Sequence, residues 1–166
     1  LLEQAATLEE IGKLENASED QLVQFEQTVM IGFYSIRKLI EAKKISDRLV
    51  HQHFKIESHS SKQDIVANLT NWHRIEEHYN LSLSTEEQVK TINICHMIVH
   101  SFVFAPEFSS NMVIKGLFFN SDRTKKKLYQ LTLNQIVNLF KEIGRNYPHK
   151  MKITKKDKGK HNIAVE

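Results

Sequence analysis

Asn93, His96 and His100 fall at positions i, i+3 and i+7 of the segment TINICHMIVH, so on a helix they share one seam of an otherwise apolar cylinder. Burying three polar side chains costs about 1 to 3 kcal/mol each unless partners satisfy them. Three kinds of partner are open. Backbone carbonyls or neighbouring side chains would make the seam purely structural. A metal ion could be gripped by His96 and His100 at i, i+4, but no acid shares their face, and the sequence predicts neither metal nor cofactor. The third partner is Arg37, in YSIRKLIEA. A guanidinium beside imidazoles favours their neutral, proton-accepting form and stabilises charge developing on a phosphorane. A histidine would then take a 2′-hydroxyl proton or protonate the leaving oxygen, while the arginine holds the phosphate in its fork. That pairing suits RNA cleavage without a metal, and it names Arg37, Asn93, His96 and His100 as candidate catalytic residues.

These side chains need elements to carry them. Residues 2–15 read as a short helix. Ser18, followed by Glu19, Asp20 and Gln21, makes an N-cap with acids in the first turn. From there Leu22, Phe25, Val29, Phe33, Ile36 and Ile40 step by three and four, which predicts a long helix to about Lys44. Ser84-Thr-Glu-Glu predicts a second long helix, apolar on much of its circumference, running toward Phe104 until Pro106 stops it. If the two pack antiparallel, Arg37 reaches the histidine seam. Residues 45–50 predict one more turn, His51–Glu57 an extended segment, 57–63 a loop, and 64–79 one or two helical turns packed by Trp72. Residues 112–119 and 127–133 read as a β-hairpin, Asn134 opens a helix that Gly144 ends, and the tail predicts a small hairpin turning near Asp157–Gly159. The expected fold is mainly helical α+β: a helical bundle around two long helices, with a β-hairpin and a C-terminal helix, in a single domain over 1–166.

A capped long helix, a central helix with a polar-x-x-x-His step at His96 and His100, then a hairpin and a final helix resemble the HEPN helical domains. The resemblance covers about residues 18–144 and leaves 145–166 as a basic hairpin or tail. It implies an intracellular domain of a defence or toxin–antitoxin type system, which interacts with RNA, cuts it without a metal, and dimerises across its active site. The family's signature places an arginine directly before the polar residue, where this chain has Cys95. Two alternatives follow: Arg37 substitutes from the neighbouring helix, or the domain is a catalytically silent interaction or dimerisation module with a basic contact surface.

Charge points the same way. The chain has 166 residues and a net charge of +3, but seven acids and one base in residues 1–26 contrast with twelve bases and two acids in residues 123–160. The basic end predicts an anionic partner, RNA above all, contacted through Arg123, Lys125, Lys126, Lys127, Lys155 and Lys156, or else a protein partner or a second copy. Other classes are excluded by inspection. The five glycines form no phosphate-cradling loop, and HExxH, paired CxxC and GxSxG motifs are missing. The single cysteine, Cys95, excludes an internal disulfide and fits a reducing compartment. The first residues carry acids where a secretory signal carries bases, and no apolar run is long enough to span a bilayer, so a cytoplasmic setting without membrane contact is expected.

Overall fold

A computed structural model describes residues 1–62, 67, 70–121, 124–155 and 161–166. Its centre is a sheet. The helices are α1 (Leu2–Ile11), α2 (Glu19–Glu41), α3 (Asp47–His51), α4 (Ile75–His78), α5 (Thr91–Val99) and α6 (Leu133–Gly144). Strands β1 (His53–Ser60), β2 (Thr85–Lys90), β3 (Phe104–Phe108), β4 (Ile114–Ser121) and β5 (Thr124–Thr132) form one antiparallel sheet in the order β2-β1-β5-β4-β3, and β6 (Met151–Lys155) pairs with β7 (His161–Val165) separately. The fold is therefore α+β with a five-stranded antiparallel sheet, and the expected bundle around two long helices is corrected.

The correction has one local source. The stretch expected as a helix from Ser84 to Phe104 is strand β2, then the nine-residue α5, then strand β3. Thr85–Lys90 pairs with β1 over six residues, from Ser58↔Thr85 to His53↔Lys90. This non-local ladder overrides the capping signal of Ser-Thr-Glu-Glu, because local propensity amounts to only tenths of a kcal/mol per residue. Pro106 does not end a helix. It sits in β3, an edge strand, where its missing N–H is tolerated. Residues 57–60, expected as loop, complete β1. Trp72 is 38% exposed, and Tyr79 is the aromatic that is buried in its neighbourhood.

Helices α1, α2, α5 and α6 cover one face of the sheet. Phe25, Val29, Phe33, Ile36, Ile94, Ile98 and Phe140 meet Ile56, Leu117, Phe119, Tyr129 and Leu131 there in one buried cluster. The capping box of α2 forms as expected: Gln21 N donates to Ser18 Oγ at 3.3 Å, and Ser18 N donates to Gln21 Oε1 at 2.8 Å. Thr132 and Gln135 cap α6 in the same way. Gly32 lets α6 approach α2, since a Cβ there would collide with the ring of Phe140, which packs edge-on to Phe33 at 5.2 Å. The other face carries a smaller cluster of Ala67, Tyr79, Val103 and Leu128. Tyr79 Oη donates to the Lys125 carbonyl at 2.8 Å and accepts from Asn120 Nδ2 at 3.1 Å, while Asn120 Oδ1 accepts from Phe102 N and Val103 N. This network turns the chain from α5 into β3. Among the described residues no helix is long and apolar enough to cross a membrane.

Candidate functional site

Arg37 and His100 meet. Arg37 lies one turn before the end of α2 and His100 caps α5, and Arg37 Nη1 stands 2.8 Å from His100 Nε2. A guanidinium only donates, so His100 Nε2 accepts and the ring proton sits on Nδ1. The contact joins the C-terminal ends of both helices, where unsatisfied carbonyls favour a cation. Arg37 Nε donates to Glu41 Oε1 at 3.0 Å and Lys38 Nζ to Glu41 Oε2 at 2.8 Å. The bond from Lys38, then that from Arg37, hold the Glu41 carboxyl below the usual carboxylate range. Arg37 is thus held by an acid on one side and an imidazole on the other, with its side chain 24% exposed.

The seam itself is turned outward. Asn93, His96 and His100 are exposed, whereas Ile94, Cys95 and Ile98 face the core. The expectation of a buried polar seam is corrected: α5 presents one apolar face to α2 and the sheet, and its polar positions lie in water. The structure brings Arg37 to His100 and leaves Asn93 and His96 on the same exposed face of α5. Cys95, at the position of the family's arginine, is fully buried. Burial pushes its thiol up to about 12, against smaller opposing effects of a backbone hydrogen bond and of the Arg37 charge. It acts as a small apolar residue beneath the seam.

The expected basic surface divides. Arg123 and Lys156 lie outside the described residues. Lys125, Lys126 and Lys127 stand in strand β5 and not in a turn. Lys125 Nζ lies over the Phe102 ring, 4.3 Å from its centre. Lys127 Nζ donates to Glu87 Oε1 at 2.7 Å, and Glu87 also accepts from Ser58 Oγ at 2.6 Å. Burial pushes the Glu87 carboxyl up, but these two hydrogen bonds together outweigh it and leave it below its ordinary value. Lys126 and Lys155 are exposed. Part of the charge asymmetry is consumed within the chain, since α1 packs on α6 with Lys141 Nζ donating to Glu9 Oε1 at 2.6 Å.

Sequence reasoning missed a polar chain on the second sheet face. His59, 3% exposed, donates from Nδ1 to the Leu83 carbonyl at 3.2 Å, and its Nε2 lies 3.1 Å from Gln130 Oε1. Gln130 Nε2 donates to Glu107 Oε1 at 2.7 Å. The alternation of β1 and β5 could have placed His59 and Gln130 on one face, but only the pairing of Ser58 with Tyr129 and His59 with Leu128 sets them side by side. Among the described residues no three His, Cys, Asp or Glu side chains converge as metal ligands would. Comparison with family models, with curated proteins and with solved structures found no match for this chain.

Proposed function

We propose that this domain binds RNA and that Arg37 and His100 form a phosphodiester-facing pair able to cut it without a metal. The observation that carries the reading is the 2.8 Å contact between Arg37 Nη1 and His100 Nε2, made at an exposed corner with His96 one turn away on α5. In the reaction, the 2′-hydroxyl oxygen attacks the adjacent phosphorus and the bond to the 5′ oxygen breaks. One imidazole takes the 2′-hydroxyl proton and a second proton donor supplies the leaving oxygen; His96 suits the first role, and His100, whose Nε2 is engaged by Arg37 and whose Nδ1 carries the proton, suits the second. Arg37 stabilises the charge on the phosphorane oxygens. The helical-bundle scaffold that a HEPN resemblance implied is not the scaffold of this chain, so the reading rests on the pair and on the basic surface alone. The defence or toxin–antitoxin setting stays part of this proposal.

A second reading, a non-catalytic interaction module, is favoured by one specific observation. Glu41 occupies Arg37 Nε, and a phosphate must displace that carboxylate to receive the fork. Incubation of labelled single-stranded RNA with the protein in EDTA separates the two. Cleavage to 2′,3′-cyclic phosphate ends that is lost in Arg37→Ala and His100→Ala supports the nuclease. Intact RNA with wild type and variants alike at every pH tested leaves the interaction module.

A further inference from the structure

The C-terminal hairpin closes a second basic feature. α2 ends in a Schellman turn: Lys43 N donates to Ile40 O at 3.0 Å and Lys44 N to Leu39 O at 2.8 Å. The left-handed position of that turn, at φ 56°, holds Lys43 where glycine would be cheaper. The chain then enters α3, whose Asp47 Oδ2 accepts from Val165 N at 3.1 Å, while Ser46 N donates to Asn146 Oδ1 at 2.9 Å. These bonds fix the hairpin against the α2–α3 corner and leave two adjoining grooves between them. One, of about 440 Å³, is lined by Lys43, Lys44, Tyr147, His149 and Lys150 among others, with no acid. Its neighbour, of about 690 Å³, adds Arg48 and Arg145 and shares Tyr147 and His149. Asp47 and Glu166 are the acids there. Asp47 Oδ2 accepts from Val165 N while its Oδ1 lies 3.8 Å from Lys43 Nζ, Arg48 Nη1 lies 3.6 Å from Glu142 Oε1, and the backbone carbonyl and N–H of Glu166 close the hairpin on His149 and Lys150.

Two features point to an occupant. Ser46, 7% exposed, lines the second groove, and its buried hydroxyl has no hydrogen-bond partner within the protein. Tyr147, 80% exposed, stands at the junction with its ring 6.0 Å from that of His149. Cations along a groove with an exposed aromatic among them are what a flexible phosphodiester strand needs, since the charges follow the backbone and the rings stack bases.

We infer that this paired groove is the docking site for single-stranded RNA, with Lys43, Lys44 and Lys150 on phosphates and Tyr147 stacking a base. This deepens the RNA-binding reading and rests on it. Arg37 and Lys43 are six positions apart at the end of α2, so a strand leaving the groove along that helix heads toward the Arg37–His100 corner.

Fluorescence anisotropy with a labelled single-stranded 2′-O-methyl RNA, which resists cleavage, tests the groove. Wild type binds. Lys43→Gly melts at or above the wild-type temperature and yet binds more weakly, so lost affinity is not lost folding. Charge reversal of Lys43, Lys44 and Lys150 together lowers the log–log salt slope by roughly 2, at about 0.7 per single-strand phosphate contact. Tyr147→Ala weakens binding at least about fivefold. If wild type binds while these variants bind equally well, the groove is overturned and the RNA-binding reading survives. If wild type binds no RNA, both fall. If duplex RNA or polyglutamate competes as well as the single strand, the surface is a general anion-binding or protein-binding one, and the assignment to single-stranded RNA is rejected.

Discussion

His59 and His100 each take a partner from another element at about the same distance, 3.1 Å to Gln130 and 2.8 Å to Arg37, but in opposite surroundings. His59 is buried on the sheet with both ring nitrogens engaged and its ring edge-on to Phe118, 6.0 Å between centres. Nothing can approach it without opening the fold. His100 is exposed, one nitrogen engages an arginine, and the other side of the ring faces solvent. The difference teaches that a polar contact is structural where it replaces water, and available for chemistry where it leaves one side of the pair in water. Cys95 and His96 repeat the contrast at adjacent positions of α5, one fully buried and the other exposed.

Four measurements break or sharpen that contrast, the largest effect first. With its thiol near 12 against an ordinary 9.0, native Cys95 holds roughly a thousandfold less thiolate at pH 8 than a free cysteine. A maleimide should therefore label it only after unfolding, and rapid labelling of the folded protein would place Cys95 outside the core. Next, His59→Ala leaves Gln130 Oε1 and the Leu83 carbonyl without the imidazole and opens space beside Phe118. It should lower unfolding stability by about 2–4 kcal/mol, while His100→Ala stays within about 0.5 kcal/mol; equal losses in urea would erase the distinction.

Tyr79→Phe removes a buried hydroxyl that bonds Asn120 and Lys125, at a cost of about 1–2 kcal/mol. Burial, partly opposed by Asn120, raises the Tyr79 phenol above its ordinary 10.0. Its contribution is therefore full below pH 10 and is lost as pH rises through the raised value. Alkaline melts should show that loss in wild type and lack it in the phenylalanine variant. The smallest effect is at the half-buried Glu87 of β2, where Glu87→Gln removes the carboxylate that accepts from Lys127. Because the Glu87 carboxyl is held below its ordinary 4.5, its contribution, under about 1 kcal/mol, is present above pH 4.5 and disappears as pH falls through the lowered value. Identical acid limbs for wild type and variant would assign the pair no net role.

How far the sequence disclosed this molecule depended on whether signals were local. Ser18 with Gln21, the apolar stepping of α2, and Gly144 at the end of α6 are read within one or two turns, and these elements stand close to where the sequence placed them. Asn120 and Ser121, turn formers by residue type, likewise announced the hairpin of β4 and β5, although β4 itself runs through both. The segment from Ser84 failed because its partner, β1, lies some thirty residues earlier, and the ladder between them leaves only a weak period in TEEQVK. The Arg37–His100 proximity was accessible in part: Arg37 lies one position past a core residue of α2, near enough to the buried face to reach across. That the seam would face water was not legible, because it depended on how short α5 is. The basic groove escaped notice because its lysines come from both ends of the chain, Lys43 and Lys44 against Lys150, and only the docking of the hairpin assembles them.

The central claim is that the Arg37–His100 corner faces RNA while His59 is structural. Histidine side-chain NMR of the folded protein, titrated with the non-cleavable 2′-O-methyl strand, reads it directly. The His100 ring signals should shift saturably with RNA while the His59 signals stay fixed. His100 signals that do not move while the RNA binds would contradict the claim.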